Sequence, residues 1–177
     1  MSDQAHAAGD ILRERARLLA RVPEREPVTG TVLELLEFSL AQERYAVENR
    51  FVLEVCPLKE LTPLPCTPPF LLGIVNVRGR ILPVLDLKRF FDLPENGLTD
   101  LHRIILVRGA GLELGLLADA ITGVRSMAAD SLQPSLPTLT GIREDYLKGV
   151  TAERLVVLDL ARILADPKIV VHEEVES

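Results

Sequence analysis

The stretch "LLGIVNVRGRILPVLDLKRFF", Leu71 to Phe91, decides the fold that we predict for this chain. Two apolar runs, "LLGIVNV" and "RILPVL", flank the dipeptide Arg78-Gly79. Glycine readily adopts the positive φ angle that a two-residue hairpin turn requires. The pattern therefore predicts two antiparallel strands joined at this dipeptide. Asp86 follows the second run, and we expect its side chain to cap the short helical turn "LKRFF".

The order of strand, aspartate and short helix occurs twice in the chain. "PVLDLKRFF" at 83–91 matches "VVLDLARIL" at 156–164, which places Asp159 at the position of Asp86 and gives it the same predicted capping role. Upstream, "RYAVENRFVLEV" aligns with "ELGLLADAITGV" in the same order. An offset of about 70 residues predicts two related small β-barrels that pack together, with a groove between them as the natural partner site.

Three further segments show the hairpin pattern of apolar runs separated by a polar or glycine-containing turn. They are "TVLELLEFSL-AQER-YAV", "HRIILVRGAGLELGLLA" and "YLKGVTAERLVVL". "CPLKELTPLPCTPP" is predicted to be an ordered loop, because proline disfavours both helix and sheet ladder. Residues 128–145 form a second proline-containing loop. These patterns predict an all-β fold with short helices.

The two ends of the chain differ from this β pattern. Residues 1–30 are predicted to form an N-terminal extension with an amphipathic helix at 10–22, which begins at Asp10 and ends before Pro23. The helix either covers a barrel face, frays in solvent or binds a partner. Residues 166–177 form a C-terminal tail, which adds an edge strand or trails as an acidic segment.

Between these ends we expect one domain at 31–165. Its two sub-barrels are predicted to occupy about 31–92 and about 101–165, because the repeat divides the sequence there.

Composition bounds the class of protein. The chain has 177 residues, of which 47% are hydrophobic and 26% charged, and this balance predicts a packed core rather than disorder. A net charge of −6 and 4% aromatic residues argue against nucleic-acid binding, although small barrels sometimes bind nucleic acid, so that alternative stays open. The sequence shows neither a signal peptide nor an apolar run long enough to cross a bilayer, and we therefore predict a cytoplasmic protein without membrane insertion.

No constellation of catalytic, metal-binding or cofactor-binding residues stands out. His6, His102 and His172 are far apart in sequence and are expected at the surface. Cys56 and Cys66 lack metal-ligand spacing, and we expect reduced packing residues. The glycines of "GAGLELG" lie between two predicted strands, which is the wrong context for dinucleotide binding. The sequence therefore predicts a protein that is not an enzyme and has no cofactor or metal.

The arginines of the first hairpin remain. Arg78 and Arg80 are either solvated turn residues or the anchor for a partner carboxylate, which a guanidinium binds in bidentate fashion.

The hairpin stretch resembles the signature of CheW-like domains, the adaptor modules of bacterial chemotaxis. The resemblance extends over roughly residues 32–165, including the opening hairpin, the proline loop and the closing "YLKGVTAERLVVLDLARIL". The signature positions that this chain fills are Gly73, Asn76, Arg78, Gly79, Pro83, Val84, Asp86 and Leu87.

The resemblance implies two packed five-stranded SH3-like β-barrels and a scaffolding function. Members of the family join the cytoplasmic tips of methyl-accepting chemoreceptors to the histidine kinase CheA, whose regulatory domain has the same fold. One barrel end packs on that domain, and the receptor hairpin lies along the groove between barrels. Other CheW-like domains are further expected partners, and the location is the membrane-associated receptor array. Without an attached receiver or kinase domain, we expect a free-standing adaptor.

The family's coupling residues fall on Val52, Gly73, Arg78 and Val124 of this sequence. Glu54, next to Val52, is expected to contribute to the kinase contact.

Overall fold

A computed structural model of the chain describes residues 30–95, 97–98, 101–134 and 142–169. The helix predicted at 10–22 lies outside these residues, and so does most of the tail predicted at 166–177.

Ten strands and three short α-helices make up the described fold. The helices are α1 (Leu87–Phe90), α2 (Ile142–Asp145) and α3 (Leu160–Ala165). The strands are β1 (Val32–Leu40), β2 (Glu43–Glu48), β3 (Val52–Pro57), β4 (Leu71–Val77), β5 (Arg80–Leu85), β6 (Arg103–Gly109), β7 (Leu112–Ala118), β8 (Ala120–Ala128), β9 (Leu147–Val150) and β10 (Val156–Leu158).

The hairpins expected from turn chemistry are confirmed. Antiparallel pairs form between β1 and β2, β4 and β5, β6 and β7, and β9 and β10. The proline loop between β3 and β4 is ordered against β4. Thr62 N donates to Ile74 O at 2.9 Å, and Ile74 N donates to Thr62 O at 2.8 Å. The all-β fold with short helices is therefore confirmed.

The strands form two five-stranded sheets, as the prediction of two barrels requires. The first, which we call barrel A, has the strand order β8-β1-β2-β10-β9. The second, barrel B, has the order β3-β6-β7-β5-β4. The two orders are equivalent under the repeat, since the strands of one half replace those of the other position by position. Each sheet contains one parallel pair, β2 with β10 in barrel A and β5 with β7 in barrel B.

The predicted division of the chain into sub-barrels at about 31–92 and about 101–165 is wrong. Those ranges are the two sequence repeats, but each barrel combines the first hairpin of one repeat with the last three strands of the other. The chain crosses between barrels after β2 and again after β7. Each long hairpin, β1–β2 or β6–β7, has one face toward the inside of its own barrel and one face toward the other barrel. It can bury both faces only if strands of the other repeat complete its barrel.

Each crossing carries a carboxylate held by cations. After β2, Glu48 pairs with Arg50 at 2.7 Å and also with Lys148. After β7, Asp119 accepts from Ala41 N at 2.7 Å and from Lys88 Nζ at 2.6 Å.

The second of these carboxylates also overturns the expected surface position of His102. That histidine is buried, with Nε2 3.0 Å from Asp119 Oδ1. The expectation failed because the position of His102 in the sequence does not show that Asp119, at the second crossing between the barrels, lies beside it.

Three apolar clusters form the core. One fills barrel B around Val84 and Leu106, and another fills barrel A around Leu35 and Val157. The largest lies between the barrels and uses the opposite faces of the two long hairpins together with the helices. Its members on the long hairpins with no exposed surface are Phe38, Leu40, Tyr45, Val47, Ile105, Val107, Leu116 and Ala118. Ile169 also belongs to it, so packing extends past residue 165.

The strand, aspartate and helix repeat has the predicted local structure. Asp86 Oδ1 accepts a hydrogen bond from Lys88 N at 2.9 Å at the start of α1. Asp159 Oδ1 accepts from Arg162 N at 3.2 Å at the start of α3. Both capping predictions are therefore confirmed.

Candidate docking surfaces

The turn between β4 and β5 has positive φ angles at both central residues, 51° at Arg78 and 82° at Gly79. These values correspond to a type I′ turn, which matches the right-handed twist of the flanking strands. Asn76 Oδ1 accepts from Gly79 N at 2.9 Å and stabilises the turn. Gly79 is therefore structural, as predicted. Arg78 occupies a backbone conformation that L residues other than asparagine and aspartate rarely adopt, and its side chain is 81% exposed.

Arg78 and Glu54 are brought together by the structure. Arg78 Nη1 lies 3.1 Å from Glu54 Oε2. Glu54 belongs to β3 and Arg78 to the β4–β5 turn, so the pair joins the two edge strands of barrel B. The ion pair therefore bridges the gap between the two edges of barrel B, which we call the seam, and most of the guanidinium surface is in solvent.

Arg80, the second arginine that the sequence singled out, begins β5 and contacts a glutamate that the sequence did not reveal. Glu113 on β7 pairs with Arg80 at 2.6 Å and also with Arg108. Lys88, in contrast, is buried and pairs with Asp119.

Val52 begins β3, is partly buried and packs against the cluster between the barrels. Its neighbours Leu53 and Val55 are the exposed large apolar residues of this edge strand. Val55 pairs with Ile105, so it lies on the face of the sheet that meets barrel A. The sequence analysis did not name Val55 as a site residue. The repeat could have indicated it, because Val55 aligns with Val124.

Gly73 is buried inside the fold rather than displayed. It has a φ of 152°, and a Cβ atom placed there would lie 2.1 Å from the backbone oxygen of Thr62. Backbone atoms of Thr62 and Pro63 cannot move aside without displacing the proline loop. The close backbone approach expected at this glycine therefore occurs within the chain itself.

Val124 lies on β8, an edge strand of barrel A, and is 64% exposed. It pairs with Leu36, which belongs to the cluster between the barrels. Side chains of directly opposed residues share one face of a sheet. Val124 and Val55 are thus repeat-related valines, each at an open edge of an inter-barrel face. The structure does not join Val124 to the pair formed by Glu54 and Arg78, because they lie on different barrels.

Barrel A has its own ionic link between edge strands, which the sequence did not reveal. Arg125, next to Val124 on β8, pairs with Glu37 at 2.5 Å and with Glu153 at 2.8 Å. Glu153 belongs to the β9–β10 turn, and its backbone oxygen accepts from Arg44 at 2.8 Å. The hydrogen bond to Arg125 holds the pKa of Glu153 below its usual range, and the same bond raises the pKa of Arg125.

The ion pairs Glu54–Arg78 in barrel B and Arg125–Glu153 in barrel A join equivalent elements, but the acidic and basic partners are exchanged. In barrel B the carboxylate is on the edge strand and the guanidinium on the turn, whereas in barrel A these positions are exchanged.

The described residues contain no group of three or more histidine, cysteine, aspartate and glutamate side chains arranged to hold a metal ion. Within that same part of the chain, no helix is long and apolar enough to span a bilayer.

Two fused barrels with exposed apolar edges and ionic seams define a docking module. The family model for the CheW-like domain matches residues 34–168. The chain therefore belongs to the CheW-like family.

Individual relatives agree with this assignment. The chemotaxis protein CheW of Treponema pallidum is 27% identical over 149 residues, covering 80% of this chain and 88% of the relative. The protein PilI of Pseudomonas aeruginosa is 30% identical over 141 residues, covering 80% of this chain and 79% of the relative. Among solved structures, the scaffolding protein TtCheW of Thermoanaerobacter tengcongensis matches with a TM-score of 0.66 and 32% identity, over 78% of this chain and 96% of that one. None of these relatives supports the nucleic-acid-binding alternative.

Proposed function

We propose that this protein couples the cytoplasmic tips of methyl-accepting chemoreceptors to the regulatory domain of the histidine kinase CheA. Its role as a chemotaxis adaptor and scaffold follows from its membership of the CheW-like family. The proposal extends that role to specific partners and to recruitment into membrane-associated receptor arrays. Other CheW-like domains are proposed as further partners, and the activity is binding without catalysis.

The observation that carries the proposal is the ion pair between the exposed side chain of Arg78 and Glu54. The type I′ turn imposes the positive φ of 51° on Arg78, as the β6–β7 turn does on Ala110, whereas the ionic contact with Glu54 across the seam is particular to Arg78. The Glu54 carboxylate orients the guanidinium and leaves N–H groups free to bind a carboxylate or carbonyl of a partner.

We assign the kinase contact to the seam of barrel B and the receptor contact to the edge of barrel A. Glu54 and Arg78 supply charge at the first, with Leu53 and Val55 as apolar neighbours on β3. Val124 supplies an exposed apolar side chain at the second. Val52 and Gly73 act indirectly, since Val52 packs on the inter-barrel cluster and Gly73 holds the proline loop against β4.

The test is a binding measurement with two purified probes from the same organism, the CheA regulatory domain and a receptor-tip fragment. We expect Arg78→Ala to weaken binding of the regulatory domain while the thermal midpoint of the variant stays nearly unchanged, because the pair with Glu54 is solvent-exposed. Deleting residues 1–30 in a parallel sample tests whether the N-terminal extension contributes to either contact.

Arg154→Ala is the matched control. Arg154 is an exposed arginine with a positive φ of 63° in the β9–β10 turn of barrel A, so it shares the conformation of Arg78 but not its place. Unaltered kinase binding by Arg78→Ala, or an equal loss in Arg154→Ala, would contradict the assignment. An unfolded Arg78→Ala protein would show that the residue is structural instead.

A further inference from the structure

The edge strand β8 is paired with β1 along its length but is largely open to solvent. It has no other strand partner in the described fold, and its exposed residues include Val124. Strands with few buried apolar contacts open locally at low cost in free energy. A surface displayed on such a strand binds well only if the strand is held in one conformation, because ordering it on binding lowers the affinity.

Arg125 adds a side-chain link from β8 to the β9–β10 turn, beside the backbone hydrogen bonds that join Gln133, shortly after β8, to Val150 on β9. The two edge strands of barrel A, β8 and β9, border a gap. The Arg125 guanidinium contacts Glu37 on β1, the strand that pairs with β8, and Glu153 in the β9–β10 turn on the other side of that gap. Glu37 is buried and charged, so it needs a cation beside it. Arg125 lies directly after Val124 in the chain, and its side chain projects to the opposite face of the strand, toward the inside of barrel A.

We propose that Arg125 is a positioning residue for the receptor-docking surface, in that the Glu37–Arg125–Glu153 link orders β8 and thereby holds Val124 in the conformation that binds. The inference rests on the proposed function, which assigns the receptor contact to β8. It adds a residue that touches no partner, since Arg125 acts from the inner face. The equivalent link in barrel B, between Glu54 and Arg78, orders β3 in the same way for the other surface.

Hydrogen exchange of the full chain tests the ordering without any partner. In Glu153→Gln, which removes the charge at the exposed end of the link, we expect β8 amides to exchange roughly two- to fivefold faster while β3 amides keep their rates. In Arg125→Gln, which leaves Glu37 without its cation, we expect about tenfold faster exchange in β8. Glu54→Gln is the mirror control and should accelerate β3 alone.

Binding of the receptor-tip fragment tests the consequence. We expect Glu153→Gln and Arg125→Gln to bind it more weakly, with binding of the CheA regulatory domain unchanged. Arg125→Lys keeps the charge and should recover most of the affinity. Should Arg125→Gln lower the stability of the whole protein, Glu153→Gln still decides, because its side chain is 62% exposed and its loss leaves the core intact.

Several outcomes would overturn the proposal. Unchanged β8 exchange in both variants would remove the ordering role, and equal acceleration in β3 and β8 would show a general loss of stability instead. Faster β8 exchange with normal binding of the receptor tip would show that ordering is irrelevant to docking.

Val124→Asp separates this proposal from the proposed function. Normal tip binding by that variant would overturn the docking assignment itself, whatever the exchange rates of β8.

Discussion

Asp86 caps the first helix, but burial of its carboxylate removes the charge from water, which is unfavourable. Its side chain is almost fully buried while it caps α1. Burial raises the pKa of Asp86, although the hydrogen bond from Lys88 N and the charges of Lys88 and Arg89 oppose that rise. A folded-state pKa above the unfolded value means that the native state binds the proton more tightly. Charged Asp86 therefore lowers stability at neutral pH, and this penalty disappears as the pH falls through the raised pKa.

Substitutions at Asp86 separate the cap from the charge. We expect Asp86→Ala to lower the free energy of unfolding by about 0.5–2 kcal/mol, because the cap is lost. Asp86→Asn keeps the acceptor and removes the buried charge, so its stability at neutral pH should equal or exceed that of the parent protein. Denaturant titrations at neutral and mildly acidic pH measure both effects.

The repeat supplies the control for this prediction. Asp159 caps α3 from a more exposed position, so Asp159→Asn should be nearly neutral at both pH values. Equal unfolding midpoints for Asp86→Ala and Asp86→Asn would contradict the capping account, because both variants lack the buried charge and only the second keeps the acceptor.

At the scale of single elements, two hairpin turns have the same geometry but different surroundings. Ala110 and Gly111 join β6 to β7 with φ angles of 51° and 76°, close to those of Arg78 and Gly79. Asparagine followed by glycine is the preferred sequence for this turn type. Neither turn therefore uses its most stable sequence, and only at Arg78 does the side chain make an ionic contact across the barrel seam.

Placing asparagine at Arg78 should separate stability from binding. We expect Arg78→Asn to leave the free energy of unfolding unchanged or to raise it by up to about 1 kcal/mol, because relief of the backbone strain offsets the lost surface ion pair. The same variant should bind the CheA regulatory domain more weakly. Thermal unfolding and a binding titration on one sample give both results.

Ala110→Asn is the matched substitution in the other turn. It should raise stability in the same way and leave binding intact. A loss of stability in Arg78→Asn as large as that of a core substitution would show that Arg78 is needed for folding rather than for docking.

For the whole molecule, the exchange of hairpins makes the two halves dependent on each other. Barrel A takes β1 and β2 from the first repeat and β8, β9 and β10 from the second, while barrel B does the reverse. Neither repeat contains a complete sheet. The largest apolar cluster draws on both barrels, so a single repeat would also expose one face of its long hairpin.

Fragments cut between the repeats test this dependence. We expect 1–95 and 96–177 to be unfolded when prepared separately and to regain β structure when mixed, since each supplies the strands that the other lacks. Circular dichroism of the separate and mixed fragments gives the answer. A stable, cooperatively unfolding 1–95 fragment would contradict the exchanged topology.

Acid should destabilise the assembled molecule through its crossing point at Glu48. Burial by itself raises the pKa of Glu48, but the hydrogen bonds and charges of Lys148 and Arg50 outweigh burial and lower it below the usual range. A lowered folded-state pKa stabilises the fold above the unfolded pKa, and that contribution is lost as the pH falls through the lowered value. We expect the temperature of the thermal midpoint to decrease once the pH is lowered below about 4.5.

Glu48→Gln identifies the source of that acid sensitivity. The variant should be less stable than the parent at neutral pH and should show a flatter loss of thermal midpoint on acidification. Parallel curves for the two proteins would mean that other carboxylates account for the acid sensitivity.

Local structure was largely predictable from the sequence. The two-residue turn at Arg78-Gly79, the caps at Asp86 and Asp159 and the four hairpins depend on interactions between residues close in the chain. The structure confirmed each of them. The roles of Val52, Glu54, Gly73, Arg78 and Val124 in coupling remain predictions, although the geometry now distinguishes displayed side chains from internal ones.

By itself, the sequence determined the hairpins, the capped helices, the duplication and the family, because turn chemistry, side-chain alternation and capping act over a few residues. Only the tertiary structure decided that the repeats exchange hairpins, that Glu54 meets Arg78, and that Arg125 joins Glu37 to Glu153. These outcomes depend on burying both faces of each long hairpin at once. That requirement selects strand partners far apart in the chain, and no local pattern records the selection.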